Sequence, residues 1–172
     1  MIEHDYHLYI SLGSNLGSRA DNIMSCVKYI NHHPRIQVKI QSEIIETLSI
    51  INCQQNYYNT VLLIQTNIFI FDLLEYLLRI EDFLGRVKST AIPWSSRTID
   101  IDLLYLQNNN KIFSNSIIIP HPELLHRPFL LYLIFKINPS QKIINKNVAG
   151  YIPNYCNNDI LIKKIKNQYQ FN

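Results

Sequence analysis

Cysteine is scarce in this chain: Cys26, Cys53 and Cys156 make an odd total of three. No two stand at CxxC spacing, which excludes a disulfide framework and a zinc site built on cysteine pairs. A reducing compartment is the simpler setting. Glycine is equally sparse, with four residues in all. The one Gly-rich run, Gly13-Ser14-Asn15-Leu16-Gly17, lacks the Gly-Lys-Ser/Thr ending of a phosphate-binding loop, and nothing elsewhere supplies one. It reads as a tight strand-to-helix turn. Long apolar runs are missing too, since none approaches the roughly 18 residues needed to span a bilayer. The N-terminus, Met1-Ile2-Glu3-His4-Asp5, has no basic region followed by an apolar stretch, so no signal peptide is expected and the cytoplasm is the expected location. Charge is also limited, with 17% charged residues and a net charge of +3. That balance suits a site for small anions such as nucleotides and is too weak to argue for nucleic acid.

What remains is ordinary globular material. Hydrophobic residues make up 47% of 172 positions, enough to bury the core of one domain and unlike a disordered chain or a coiled coil. Residues 6–12 are β-prone and stopped by Gly13, which predicts a strand. Ser18 with Asp21 three residues later predicts a capping box with Asp in place of Glu, and Ile23, Val27 and Ile30 carry a helix on toward Pro34. Residues 36–46 alternate Ile36, Val38 and Ile40 against Gln37, Lys39 and Gln41, predicting one half-buried strand, and residues 57–66 predict another. Leu73, Leu74, Leu77, Leu78, Phe83 and Leu84 predict a helix over residues 71–84, with Gly85 at its C-terminal cap.

Residues 86–98 form a polar loop holding the chain's only tryptophan, Trp94. Such a loop is longer than most connections in compact domains and is the kind that serves as an active-site lid. Residues 99–103 alternate strictly and predict a strand. An Asn-rich turn at 108–110 and a partner strand over 112–119 follow. Pro122 and Pro128 divide residues 122–136 into two short helical pieces, and the tail from residue 137 is poorly patterned. Strands and helices interleave without βαβ repetition. That predicts an α+β domain, a mainly antiparallel sheet covered by helices, with a ferredoxin-like core as the natural candidate.

The strongest chemical signal is Asp100 with Asp102. Two apart on a strand, their carboxylates project to one face. Like charges so placed repel unless a cation neutralises them. Hard oxygen donors favour Mg²⁺, which takes one or two carboxylates and completes its shell with water and phosphate. Arg97, just upstream, is placed to pair with phosphate. A DxD pair by itself also describes a solvated strand face. His121 and Arg127, bracketed by prolines, suggest a rigid loop of cationic donors, or else a capped helix start with surface charges. Arg86 and Lys88 either offset the helix dipole beside Gly85 or bind phosphate. Tyr57 and Asn59 share a strand face, a stacking surface beside an amide reader, or else Tyr57 is simply an aromatic core residue. Two other classes compete. A nucleic-acid-binding ferredoxin-like module needs an RNP-type run that is not present. Another DxD metal–nucleotide transferase leaves the strand at 56–66 and the loop at 119–129 unexplained.

Taken together the motifs resemble the 6-hydroxymethyl-7,8-dihydropterin pyrophosphokinase family. YISLGSNLGSRADNI (residues 9–23) resembles its first strand, turn and helix. RIEDFLGR (79–86) with WSSRTIDIDLLYL (94–106) resembles its metal- and ATP-binding core, IPHPELLHRPF (119–129) its phosphate-binding loop, and NYYNTVLLIQT (56–66) its pterin-side strand. The resemblance covers about residues 6–136 in the family's order, and residues 1–172 are expected to form a single pyrophosphokinase domain. It implies transfer of the β,γ-diphosphate of ATP to the pterin hydroxymethyl group with release of AMP, a step of folate biosynthesis. It implies Asp100 and Asp102 as ligands of Mg²⁺, as a pair of ions, and Arg86 and Arg97 as triphosphate-holding catalytic arginines. Lys88, Trp94, His121 and Arg127 are implied as further ATP contacts. Tyr57 and Phe129 would sandwich the pterin ring, and Thr47 and Asn59 would read its edge. Glu81 matches a helix acid of the family motif without a stated role. The partners implied are the two small-molecule substrates, with no nucleic acid and no membrane, together with neighbouring folate-pathway enzymes. Two departures stand out: Leu48-Ser49-Ile50-Ile51 replaces a loop usually containing Pro and Gly, and Ser89-Thr90-Ala91-Ile92-Pro93 replaces a more charged stretch, implying reduced activity.

Overall fold

Residues 5–49, 55–85, 96–154 and 161–165 are described by a computed structural model of the chain. The first strand, β1 (Tyr6–Ser14), carries Leu8, Ile10 and Leu12 on one face and Tyr9, Ser11 and Gly13 on the other, and it is buried from Leu8 onward. A strand apolar on both faces belongs in the middle of a covered sheet, and β1 is central. After α1 (Arg19–His32) come β2 (Ile36–Gln41), β3 (Ile44–Thr47), β4 (Tyr57–Thr66), α2 (Ile70–Phe83) and β5 (Asp100–Leu106). β4 and β5 flank β1, both antiparallel to it, and β2 and β3 both pair antiparallel with β4. The result is α+β, with three α-helices among the described residues set against a mainly antiparallel sheet.

The alternation of β1 creates two cores. Leu8, Ile10 and Leu12 pack with Ile23, Val27 and Ile30 of α1 and Leu73, Leu77 and Ile80 of α2. On the reverse face Tyr9, Val61 and Leu63 pack under α3 (Pro128–Ile137) through Leu130, Leu131, Leu133 and Ile134. A register shift between Tyr9 and Ile10 skips Leu104, so Leu104 and Tyr105 both serve the second core. Fully burying each such side chain contributes roughly 1.5–3 kcal/mol, so both faces matter for stability.

Three expectations need correction. Ser18 does precede α1, but its hydroxyl donates to the Asp21 carboxylate and no side chain caps the helix backbone. Asp is one methylene shorter than the Glu of a usual box, and the two side chains meet each other instead. The single strand expected over 36–46 is two strands. At Ser42 the side-chain Oγ accepts the Val61 N–H at 2.9 Å, and a short hydroxyl thus replaces the regular ladder. The strand expected over 112–119 is instead a small hairpin of β6 (Ile112–Phe113) and β7 (Ile118–Ile119), turned by Ser114, whose Oγ accepts the N–H of Ile117 at 2.9 Å.

The unpatterned tail holds structure as well. β8 (Lys142–Ile143) and β9 (Lys146–Asn147) form a hairpin whose two loop residues, Ile144 and Asn145, have positive φ. A 3₁₀ segment, Val148–Asn154, follows, and β10 (Leu161–Ile165) adds to the outer edge of β3. The other elements match the reading from sequence. β4 spans 57–66, α2 ends where Gly85 turns with φ +84°, and a 3₁₀ turn at Leu124–His126 precedes α3.

Candidate active site

Strand alternation aims Ser11 and Gly13 of β1, Thr47 of β3, Tyr57 and Asn59 of β4, and Asp100 and Asp102 of β5 at the sheet face that α3 covers. With Arg97, His126, Arg127 and Phe129 they line a cleft of about 350 Å³. A larger groove, about 770 Å³, runs along the outer edge of β2 past Asn31, Arg35 and Gln41. It contains neither the paired carboxylates nor the residues around them, so the smaller cleft is the site with chemistry to offer.

One half of the cleft is ionic. Arg97 Nη1 donates to Asp100 Oδ1 at 2.7 Å, and Arg127 Nη1 donates to Asp102 Oδ2 at 3.1 Å. Burial and, next, the Asp100 charge push the Asp102 carboxyl above its ordinary value, and His121 and Arg127 offset this only in part. For Arg97 burial is the largest single influence and works against the charge, but Asp100, with Tyr57 and Asp102, together outweigh it and raise the guanidinium. Two hard-oxygen carboxylates on one strand face, one of them poorly neutralised, suit a hard dication such as Mg²⁺ that keeps water or phosphate in its remaining positions. Among the described residues no group of three or more His, Cys, Asp or Glu side chains forms a closed metal cage.

Three ties hold this half in place. Arg97 donates its backbone N–H to Asn15 Oδ1 at 2.7 Å, and its carbonyl accepts the Asn15 N–H at 3.1 Å. The Gly13–Gly17 turn therefore anchors the segment leading into β5. The third tie is Glu81 of α2, fully buried, whose Oε1 accepts the N–H of Ile101 at 2.6 Å. Ile101 lies between the two aspartates, so Glu81 sets the strand that presents them.

The other half is aromatic and amide in character. Asn59 Nδ2 donates to Thr47 Oγ1 at 2.8 Å, both residues buried. Asn59 Oδ1 lies against Gly13, where a built Cβ would stand 3.1 Å from it. Glycine at 13 makes room for the carboxamide. Half-buried Tyr57 lines the same wall, its phenol pushed above the ordinary value by burial, and Phe129 lines the wall supplied by α3.

The structure thus gathers Thr47, Tyr57, Asn59, Arg97, Asp100, Asp102, Arg127 and Phe129 in one cleft. His121 stands just outside its lining. Its Nδ1 accepts the Glu123 N–H at 3.1 Å, and its charge bears on Asp102. Arg86, Lys88 and Trp94 lie outside the described residues, as do Ile50, Ile51 and residues 89–93. Sequence reasoning missed Ser11, Gly13, Glu123, His126 and Leu130. A signal did exist for Ser11, a lone hydroxyl within the run Leu8-Tyr9-Ile10-Ser11-Leu12. Glu123 and His126 stand inside the 119–129 motif but were given no role there, and they reach the cleft through the turn before α3.

In sequence and fold the chain is similar to known proteins. A family model described as 7,8-dihydro-6-hydroxymethylpterin-pyrophosphokinase (HPPK) matches residues 9–139. The chain is 36% identical over 124 residues to a 2-amino-4-hydroxy-6-hydroxymethyldihydropteridine pyrophosphokinase of Bacillus subtilis (strain 168), covering 72% of each. It is 31% identical over 130 residues to the bifunctional protein FolKE of Lactococcus lactis subsp. cremoris (strain MG1363), covering 75% of this chain and 36% of that one. Among solved structures, Plasmodium falciparum HPPK-DHPS with pteroate is similar in fold, with a TM-score of 0.70 at 14% identity, covering 88% of this chain and 42% of that one. The chain spans less than half the length of either of these last two proteins.

Proposed function

Because this chain belongs to the 7,8-dihydro-6-hydroxymethylpterin-pyrophosphokinase family, we propose that its cleft transfers the β,γ-diphosphate of ATP to 6-hydroxymethyl-7,8-dihydropterin, a step of folate biosynthesis. The observation that carries the residue assignment is the division of one cleft into two halves. Asp100 and Asp102 with their arginines lie on one side, and the Asn59–Thr47 pair with Tyr57 and Phe129 on the other.

The residues divide the task. Tyr57 and Phe129 offer faces to a flat heterocycle, and Asn59, held by Thr47, offers a carboxamide to its edge. Asp100 and Asp102 hold Mg²⁺, taken as a pair of ions. When bound, Mg²⁺ supplies positive charge between carboxylates and triphosphate and orients the attacking oxygen. Arg97 and Arg127, paired with the carboxylates in the free protein, are the side chains available to the phosphates, and His121 stands close by. Arg86, Lys88 and Trp94 are proposed as further ATP contacts from the family motif. The pterin hydroxymethyl oxygen forms a bond to the β-phosphorus. The bond from that phosphorus to the oxygen bridging the α-phosphate breaks, AMP leaves with the bridging oxygen, and the hydroxyl proton passes to solvent.

The core is proposed as ferredoxin-like. Counting β2 and β3 as one interrupted strand, the order β-α-β-β-α-β with β4 inserted antiparallel between β1 and that strand is the split-βαβ arrangement. We take residues 1–172 as one such domain. Among the described residues no helix is long and apolar enough to cross a membrane, and the cytoplasm is the proposed location. The fused relatives make other folate-pathway enzymes the partners to test for.

Incubation with Mg²⁺, ATP and the pterin is expected to give AMP as the nucleotide product, dependent on both metal and pterin. Attack at the γ-phosphorus would leave ADP, so stoichiometric ADP without AMP would overturn the reading.

A further inference from the structure

We propose that Arg19 is a positioning residue for pterin recognition, acting from the sheet face opposite the cleft. The proposal rests on the reading of Thr47, Tyr57 and Asn59 as the pterin-binding wall.

Arg19 opens α1, and its side chain is only 13% exposed. Nη1 donates to Glu46 Oε1 at 3.0 Å and to the carbonyl oxygen of Asn56 at 2.6 Å. The guanidinium carbon lies 3.7 Å from the centre of the Tyr58 ring. All three contacts fall on the last turn of β3 and the first of β4, where Glu46 pairs with Tyr58 and Thr47 with Tyr57. Side chains alternate across a strand, so Glu46 and Tyr58 face the helices while Thr47, Tyr57 and Asn59 face the cleft. Arg19 grips the back of the residues whose fronts form the wall.

The grip also spans the connection between the two strands. Glu46 lies next to the last residue of β3 and Asn56 immediately precedes β4, so Arg19 holds both strand ends. Recognition depends on that closure, because the Asn59–Thr47 bond crosses from β4 to β3. Removing the guanidinium leaves Glu46, with only 16% of its side chain exposed, as an under-solvated charge that the strands can relieve by parting. The ionic half has its own ties through Asn15 and Glu81, so it does not depend on Arg19. Lysine keeps the charge but lacks the flat guanidinium that lies over the Tyr58 ring while one of its nitrogens bonds both oxygens.

The test compares the native chain with Arg19→Ala, Arg19→Lys and Glu46→Gln in pterin-dependent AMP formation. Affinity for Mg²⁺ with a non-hydrolysable ATP analogue is measured alongside, and thermal unfolding checks the fold. Arg19→Ala is expected to raise the pterin KM about tenfold while analogue affinity stays within about twofold. Arg19→Lys should recover only part of the loss, and Glu46→Gln should show a smaller shift of the same kind. If Arg19→Ala does not fold, the other two variants decide the question. An unchanged pterin KM in the folded variants, or an equal loss of both ligands, overturns the proposal alone. A native chain forming no pterin-dependent AMP removes the underlying reading, and the proposal with it.

Discussion

Asp102 shows how a single side chain can be costly to the fold and necessary to the site. Its carboxyl is pushed up by burial and by the neighbouring Asp100 charge. A carboxyl raised in the folded state destabilises that state when ionised. The cost begins as pH rises through the ordinary carboxylate value and is complete above the raised one. Asp102→Asn should therefore stabilise the metal-free protein modestly at neutral pH, a gain limited by partial solvent exposure and the lost Arg127 partner. The gain should vanish below the ordinary carboxylate range. Urea unfolding at neutral and acid pH measures both, and an equal gain at the two pH values would contradict the electrostatic origin. The same substitution, or Asp100→Asn, should lower kcat by about three orders of magnitude by removing a metal ligand. Pterin-dependent AMP formation at saturating substrates measures that loss, and near-normal turnover in both variants would place the metal elsewhere. The residues behind this prediction were legible in the sequence because a period of two is a local property of one strand. Their neighbours in the cleft were less legible, since Ser11 and His126 reach it through the pairing of β1 with β5 and the turn before α3.

Among the elements, the contact of α2 with β5 matters most to the site. Glu81 sits in the last turn of α2 with no exposed surface and accepts the Ile101 N–H. Burial and, next, Glu81 push up the buried Cys26 thiol of α1, so the carboxyl is felt across the helix packing as well as at β5. Deleting the carboxylate leaves a buried N–H without its partner. Glu81→Ala should cost about 2 kcal/mol of stability and lower kcat, with the pterin KM little changed. Glu81→Gln keeps an acceptor and should recover most of the stability. Unfolding curves and steady-state kinetics separate the two effects, and a large rise in pterin KM would show that the helix acts on the wrong half of the cleft. From sequence Glu81 was a helix acid of unknown purpose. The helical pattern showed that it lay on α2, but which strand its buried carboxylate met depended on how α2 packs against β5.

For the whole molecule, the informative mismatch is between the family match and the core. The match ends at residue 139, yet the second core continues through buried Gln141, Ile143 and Val148. Tyr9 Oη, in the central strand, donates to Gln141 Oε1 at 3.1 Å. Truncation after Pro139 should uncover the α3 side of the sheet and cost at least about 3 kcal/mol from Ile143 and Val148 alone. That is a large share of the roughly 5–15 kcal/mol typical of a domain. The expected result is a strongly lowered or non-cooperative unfolding transition. A truncated chain as stable as the full one would show that the tail only decorates the fold.

The sequence by itself determined everything that one element can encode. It specified the apolar period of β1 and α2, the Gly85 stop, the paired aspartates of β5, and the Tyr57–Asn59 face of β4. These signals depend on neighbours a few residues apart, and chain geometry alone turns them into faces. Only the tertiary structure decided that Ser42 interrupts the second strand, that 112–119 folds on itself, that β10 joins β3, and that His121 stops short of the cleft. The same holds for the ties that position the site. Glu81 meets Ile101 across 20 residues of chain, Arg19 meets Asn56 across 37, and Tyr9 meets Gln141 across 132. Such bonds are chosen by which apolar faces pack together and by the need to pair each buried polar group, conditions set by the assembled molecule and by no single segment of it.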